Sequence, residues 1–273
     1  MDSVDNYLDN IWRRGKLTSL LSKVAGHVPP KVLHAAIARV HHRPEPIMKL
    51  LVRNCDPLGS AVDVGVWLGP WTYWLARRVY RVHAIEPNPS MVDFLRRSVA
   101  SNVNVYAAAA SNSTGSDVLN FPIMGFGSEG TATLKKIEGA ATSVQVDLLR
   151  IDDLCLDDVR FMKIDVEGHE LQVLEGALET LRSQSPVLLT ELDYREGDFG
   201  EIARLLESLG YQGKVLIEGS WTNLSDFDLA EWQRQHHATQ AQQSYFNQVL
   251  HTQSYINNVV WVHPRSTWNP WSL

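Results

Sequence analysis

Asp63-Val64-Gly65-Val66-Trp67-Leu68-Gly69 reads as the turn between a buried strand and a helix. The apolar run at 61–66 is strand length and is bounded by glycine. A helical pattern opens near Pro70, a residue suited to the first helical turn. Gly65 removes the Cβ where the backbone turns, and Gly69 lies near the helix N-terminus, whose free N–H groups favour an anion. Open α/β sheets bind their ligands at this place, beyond the carboxyl ends of the strands.

The alternation continues outward from this turn. Residues 81–86 read as a second strand, 90–100 as a helix and 103–108 as a third strand. Residues 118–146 interrupt the pattern and read as β-hairpins with turns. A fourth strand at 161–166, a helix at 169–184, a fifth strand at 187–192 and a helix at 200–209 follow. Strand and helix in this order imply right-handed crossovers and a parallel sheet. The expected fold class is α/β: a doubly wound, mostly parallel, Rossmann-like sheet with an N-terminal helical cap and a β-hairpin insertion.

The flanks differ in composition. Tyr7, Leu8, Ile11 and Trp12 recur at helical spacing, as do Val32, Ala35, Ala36 and Val40. Pro29-Pro30 and Pro44-Glu45-Pro46 punctuate these helices. Residues 1–55 are expected to form the cap, 56–217 the core, and 218–273 an extension with a helix at 229–250 and a closing strand at 258–262. Trp221, Trp232, Trp261, Trp268 and Trp271 crowd the extension. They fit either sugar-stacking surfaces or a hydrophobic seal or subunit interface. A homodimer through the N-terminal helices or the aromatic segment is consistent with this layout.

Bulk properties exclude several classes. The chain has 273 residues, 44% hydrophobic and 21% charged, an ordinary globular mix. A net charge of −6 without a long basic run disfavours nucleic acid and anionic membranes. Two cysteines make neither a disulfide framework nor a zinc-finger spacing. The acidic start Met1-Asp2-Ser3-Val4-Asp5 is unlike a secretory signal, and no apolar run spans a bilayer. A cytoplasmic location is expected.

The chemistry of the turn narrows the ligand. A dinucleotide site would carry G-x-G-x-x-G here, but Asp63 stands where its first glycine would fall. A carboxylate repels a pyrophosphate and suits an ammonium or sulfonium, which points to S-adenosyl-L-methionine. Glu86, in Glu86-Pro87-Asn88, ends the second strand about 20 residues on, where an acid accepts both ribose hydroxyls. A capped turn alone would explain Asp63 and Gly65; Glu86 at this distance favours a nucleoside. Gly65, Gly69, Thr72, Pro87, Asn88 and a loop at Ala109-Ala110 complete the expected cofactor set. Gly125-Phe126-Gly127-Ser128-Glu129-Gly130 matches the dinucleotide pattern literally, but no helix opens from it, so it reads as a flexible turn. Two other classes stay open at this point: a nicotinamide-dependent oxidoreductase and a non-catalytic nucleoside-binding module.

Lys163-Ile164-Asp165-Val166-Glu167-Gly168-His169-Glu170 joins the fourth strand to its helix, beside the first turn. With Asp63-Val64-Gly65, Ile85-Glu86-Pro87-Asn88 and residues 149–154 in the same order, the chain resembles the FkbM-type methyltransferase family over roughly residues 60–193. The resemblance implies S-adenosyl-L-methionine as donor and an acceptor hydroxyl, often on a sugar or natural product. The family often has smaller residues at positions 66 and 67, so Trp67 is expected to narrow the pocket.

On the acceptor side, an alcohol needs a base, and His169 near a helix N-terminus would stay neutral and basic. A solvated first-turn histidine is the bland alternative. Asp165 and Glu191 are the other residues expected to face the acceptor; Asp165 and Glu167 could instead cap the helix. A buried Lys163 needs a partner, and Asp165 or Glu191 could supply it in a structural ion pair. Asp165 with Glu191 or Asp193 could hold Mg²⁺, a reading the residues do not favour; no metal ligands are assigned.

Overall fold

The computed structural model describes residues 28–41, 45–122, 132–135, 141–195, 199–240 and 256–272. The helix expected around residues 7–12 and the glycine-rich turn at 125–130 lie outside them. Two helices open the described chain, α1 (Pro30–His41) and α2 (Pro46–Asn54). Then come β1 (Ser60–Val64), α3 (Pro70–Leu75), β2 (Arg81–Ile85), α4 (Pro89–Ser98), β3 (Val103–Tyr106), β4 (Ala109–Ala110), β5 (Gly115–Pro122) and β6 (Ala141–Leu149). After these come β7 (Val159–Ile164), α5 (Glu170–Glu175), α6 (Leu178–Gln184), β8 (Val187–Glu191) and α7 (Phe199–Ser208). The series closes with β9 (Gln212–Ile217), β10 (Ser220–Asn223), α8 (Leu229–Gln240) and β11 (Asn258–Val262).

The main sheet is eight-stranded, in the order β10-β9-β11-β8-β7-β1-β2-β3. From β8 to β3 every neighbour is parallel. β11 runs antiparallel between β8 and β9. β1 is buried along its whole length, as a strand covered on both faces must be. One face meets α2 and α3: Ile47, Met48, Leu51, Trp71 and Leu75 pack with Ala61, Phe161 and Leu189. The other meets α5, α6 and α7: Val173, Leu181 and Leu206 pack with Val62, Met162 and Leu188. Successive side chains of a strand alternate between faces, so Asp63, Lys163 and Glu191 belong to the α2–α3 face.

The hairpin insertion forms a second, three-stranded sheet, β4-β6-β5, with β5 and β6 antiparallel. Ala109 and Ala110 are therefore strand β4 rather than the expected loop. Their side chains are buried, Ala110 in the main core and Ala109 under the small sheet.

The single helix expected at 169–184 is two. Gly176 lies against the Ser111 carbonyl, where an added Cβ would sit 1.9 Å from the oxygen. Asp152 then begins a new helix by accepting the N–H groups of Glu179 and Thr180 at 3.0 and 2.9 Å. Side-chain capping of this kind competes with helix continuation. Of the helix expected at 229–250, the described part ends at Gln240. Among the described residues no helix is long and apolar enough to cross a membrane.

Candidate functional site

The carboxyl ends of β1, β7 and β8 assemble the site. Asp63 is in register with Lys163, and Glu191 ends the next strand. Lys163 Nζ donates to Asp165 Oδ2 at 2.9 Å and to the Gly65 carbonyl at 3.2 Å. It also lies 3.9 Å from Asp63 Oδ1. Of the two expected partners, the close ion pair is thus with Asp165. Burial opposes the Lys163 charge, but Asp165, Asp63 and Glu45 outweigh it and hold the ammonium above its ordinary range.

Asp63 is fully buried. Thr72 Oγ1 donates to its Oδ2 at 2.5 Å, while Oδ1 has no hydrogen-bond partner among the described residues. Burial pushes its carboxyl up, and Lys163 and Thr72 pull it back only in part. A buried acceptor left without a donor is costly unless a ligand supplies one.

Gly65 has φ +76°, and a Cβ there would sit 1.7 Å from the Asp165 carbonyl oxygen. The two loops thus touch through bare backbone, and Asp165 N–H donates to the Val64 carbonyl at 3.1 Å. Gly69 N-caps α3, and its carbonyl is 2.7 Å from His34 Nε2 of α1.

Glu86 follows β2 and is buried. Its Oε2 accepts the Trp67 N–H at 2.7 Å and its Oε1 the Asn88 N–H at 2.8 Å. Burial raises its carboxyl to about 7, against these two hydrogen bonds. Each carboxylate oxygen can accept a second bond, so the bidentate face keeps acceptor capacity. Pro87 connects Glu86 to Asn88, whose side chain caps α4 by accepting the Ser90 N–H at 3.0 Å. Trp67 has φ +51°, and its ring leans toward His41 of α1, 6.0 Å between centroids.

Asp165 and Glu191 share one electrostatic neighbourhood. Burial raises the Glu191 carboxyl well above its ordinary range, and the charges of Asp165, Glu167 and Glu45 raise it further. Asn257 Nδ2 donates to Glu191 Oε1. His169 is the N-cap of α5, a helix of six residues, and its Nε2 is 3.0 Å from Ser111 Oγ. Asp193 is engaged with Arg195 at 2.7 and 2.5 Å. Among the described residues no group of three or more His, Cys, Asp or Glu is arranged to hold a metal ion.

Four residues of the site were given no role by motif reasoning. Ser111, just past β4, holds His169. Glu170 accepts the N–H groups of Val166 and Gly168 at 3.2 and 3.1 Å and shapes the loop. Thr133 Oγ1, from the insertion, donates to the Glu167 carbonyl at 2.8 Å. Glu45, the N-cap residue of α2, accepts Trp71 Nε1 at 2.8 Å. Glu45 left a trace in the sequence as the acid between Pro44 and Pro46, and Glu170 as the last residue of the 163–170 segment.

The tryptophans of the extension are largely structural. Trp261 is fully buried in β11 with Nε1 donating to Thr190 Oγ1 at 3.0 Å. Trp268 packs near Phe161 and donates to the Arg160 carbonyl at 3.1 Å, toward the opposite end of β7 from Lys163. These two seal the core instead of facing the candidate site.

The family profile described as the Methyltransferase FkbM domain matches residues 61–212, more than half of the chain. "Methyltransferase 1" of Beauveria bassiana is 27% identical over 176 residues, 55% of this chain and 71% of that protein. A solved methyltransferase FkbM from Methylobacillus flagellatus KT is 21% identical with a TM-score of 0.43, over 61% of this chain and 42% of that one. This chain thus spans under half the length of that solved structure. A SAM-dependent methyltransferase from Thiobacillus denitrificans, solved with S-adenosyl-L-homocysteine, is 12% identical with a TM-score of 0.35, over 81% of this chain and 89% of that one. The match over residues 61–212, on the turn and strand ends that build the site, identifies the chain as a member of the FkbM methyltransferase domain family.

Proposed function

We propose that the protein transfers a methyl group from S-adenosyl-L-methionine to a hydroxyl of a sugar, glycoconjugate or natural product. The observation that carries this reading is Asp63 Oδ1, a buried carboxylate oxygen with no hydrogen-bond partner among the described residues, beside a turn that Gly65 keeps free of side chains. An ammonium group would supply the missing donor. Glu86 retains acceptor capacity suited to a vicinal diol. Asp63, Gly65, Gly69, Thr72, Glu86, Pro87 and Asn88 are the residues assigned to hold the cofactor. A pyrophosphate against Asp63 would be repelled, which argues against a nicotinamide dinucleotide.

When bound, the cofactor supplies an electrophilic methyl on a sulfonium. An acceptor hydroxyl taking that methyl would have to give up its proton. His169, held by Ser111, is the residue assigned to receive that proton. Asp165 and Glu191 orient acceptor hydroxyls, Glu191 with a carboxyl that burial and its acidic neighbours raise. Correct alignment supplies much of the rate in such a displacement.

The test is calorimetric titration with S-adenosyl-L-methionine, S-adenosyl-L-homocysteine and NAD on wild type and Glu86→Ala. Binding of the first two, weakened about tenfold or more by the substitution, supports the reading. Binding of NAD alone, or of none of them, overturns it.

A further inference from the structure

Glu45 lies outside the family-matched span of residues 61–212, in the helical cap. Its Oε2 accepts from Trp71 Nε1 at 2.8 Å and lies 3.1 Å from His41 Nε2. Trp71 stacks near Phe161, two residues before Lys163 on the same face of β7. The start of α2 therefore lies over the face that bears Asp63, Lys163 and Glu191. Both hydrogen bonds fall on Oε2, and Oε1 makes none among the described residues.

Three carboxylates share this face with one ammonium and one imidazole: Lys163 lies 2.9 Å from Asp165 and 3.9 Å from Asp63, and Glu45 is paired with His41 at 3.1 Å. Burial works to neutralise Glu45, but His41, Lys163 and Trp71 outweigh it and hold its carboxyl below the ordinary range. The charge of Glu45 also contributes to raising the Glu191 carboxyl, after burial, Asp165 and Glu167. Asp63 Oδ1, fully buried, has no hydrogen-bond partner among the described residues, and Lys163 Nζ stands 3.9 Å from it.

We propose that Glu45 is a charge-selecting residue: its carboxylate favours the sulfonium of S-adenosyl-L-methionine over the neutral thioether of S-adenosyl-L-homocysteine. The proposal rests on the cofactor reading above and adds a role for the cap. Methyl transfer removes the positive charge from sulfur, so a site with surplus negative charge holds the donor more tightly than the spent product. The cap thereby promotes product release.

Donor and product differ by the methyl and its charge, so the pair is its own probe. Glu45→Gln keeps a side-chain acceptor for Trp71 and His41 and removes the charge. Calorimetry should show the affinity for S-adenosyl-L-methionine falling about tenfold and that for S-adenosyl-L-homocysteine changing less than about twofold. The unchanged product affinity also reports a folded pocket. Glu45→Asp, the milder change, carries the test if Glu45→Gln is unstable: its carboxylate retreats by one methylene, and donor binding alone must weaken. Equal losses for both ligands, or no loss for either, overturn the proposal while leaving the cofactor reading intact. Failure of the wild type to bind either ligand overturns both.

Discussion

Gly65 shows how far a single residue governs this site. Its φ of +76° is open to glycine, and its missing Cβ leaves room for the Asp165 carbonyl. Gly65→Ala would force the β1 and β7 loops apart, with strain and overpacking acting together. We expect a loss of about 3 kcal/mol or more in urea unfolding, together with loss of cofactor binding. Gly65 and Asp63 were legible in the sequence because turn chemistry depends on residue type. Ser111 and Thr133 were not, because each acts on a partner that only the fold brings near. His169 was legible as a residue but not in its setting. Its helix is six residues long, so the Ser111 contact governs the ring more than a helix dipole does.

Elements were read well where apolar runs are strong and poorly where a distant side chain intervenes. β1, β7 and β8 end within one or two residues of expectation because their burial on both faces makes nearly continuous apolar runs. The break between α5 and α6 could not be read, since Asp152 is remote in sequence from the helix it caps. Thr180 Oγ1 adds a third bond to the same carboxylate at 2.8 Å. Asp152→Ala strips all three from the start of α6. The expected cost is about 1–3 kcal/mol, read from denaturant midpoints, with no change in cofactor affinity because α6 lies away from the pocket. A loss of cofactor binding with stability unchanged would refute this division of labour.

Among the described residues, buried carboxylates outnumber buried cations near the site, which sets the molecule's response to pH. Burial raises both Glu86 and Glu170 to about 7 from an ordinary 4.5. Between those values the native state binds more protons than the unfolded chain. Their contribution is therefore full below about pH 4.5 and is lost as pH rises through 7. Glu170 alone accounts for a decline of up to about 3 kcal/mol. Glu170→Gln should flatten the fall in unfolding free energy between about pH 4.5 and 8 by roughly that amount. An unchanged slope would show that Glu170 ionises freely in the folded protein.

The order of the main sheet has a consequence for biosynthesis. β8 and β9 are close in sequence, yet β11 lies between them. A chain emerging from the ribosome completes β8 well before β11 is available. For that interval Val187, Leu188 and Leu189 line an open, apolar strand edge, the kind of surface on which nascent chains stick to one another. The late arrival of Asn258–Val262 closes that edge, so the nascent chain is most prone to self-association while the sheet waits for this strand.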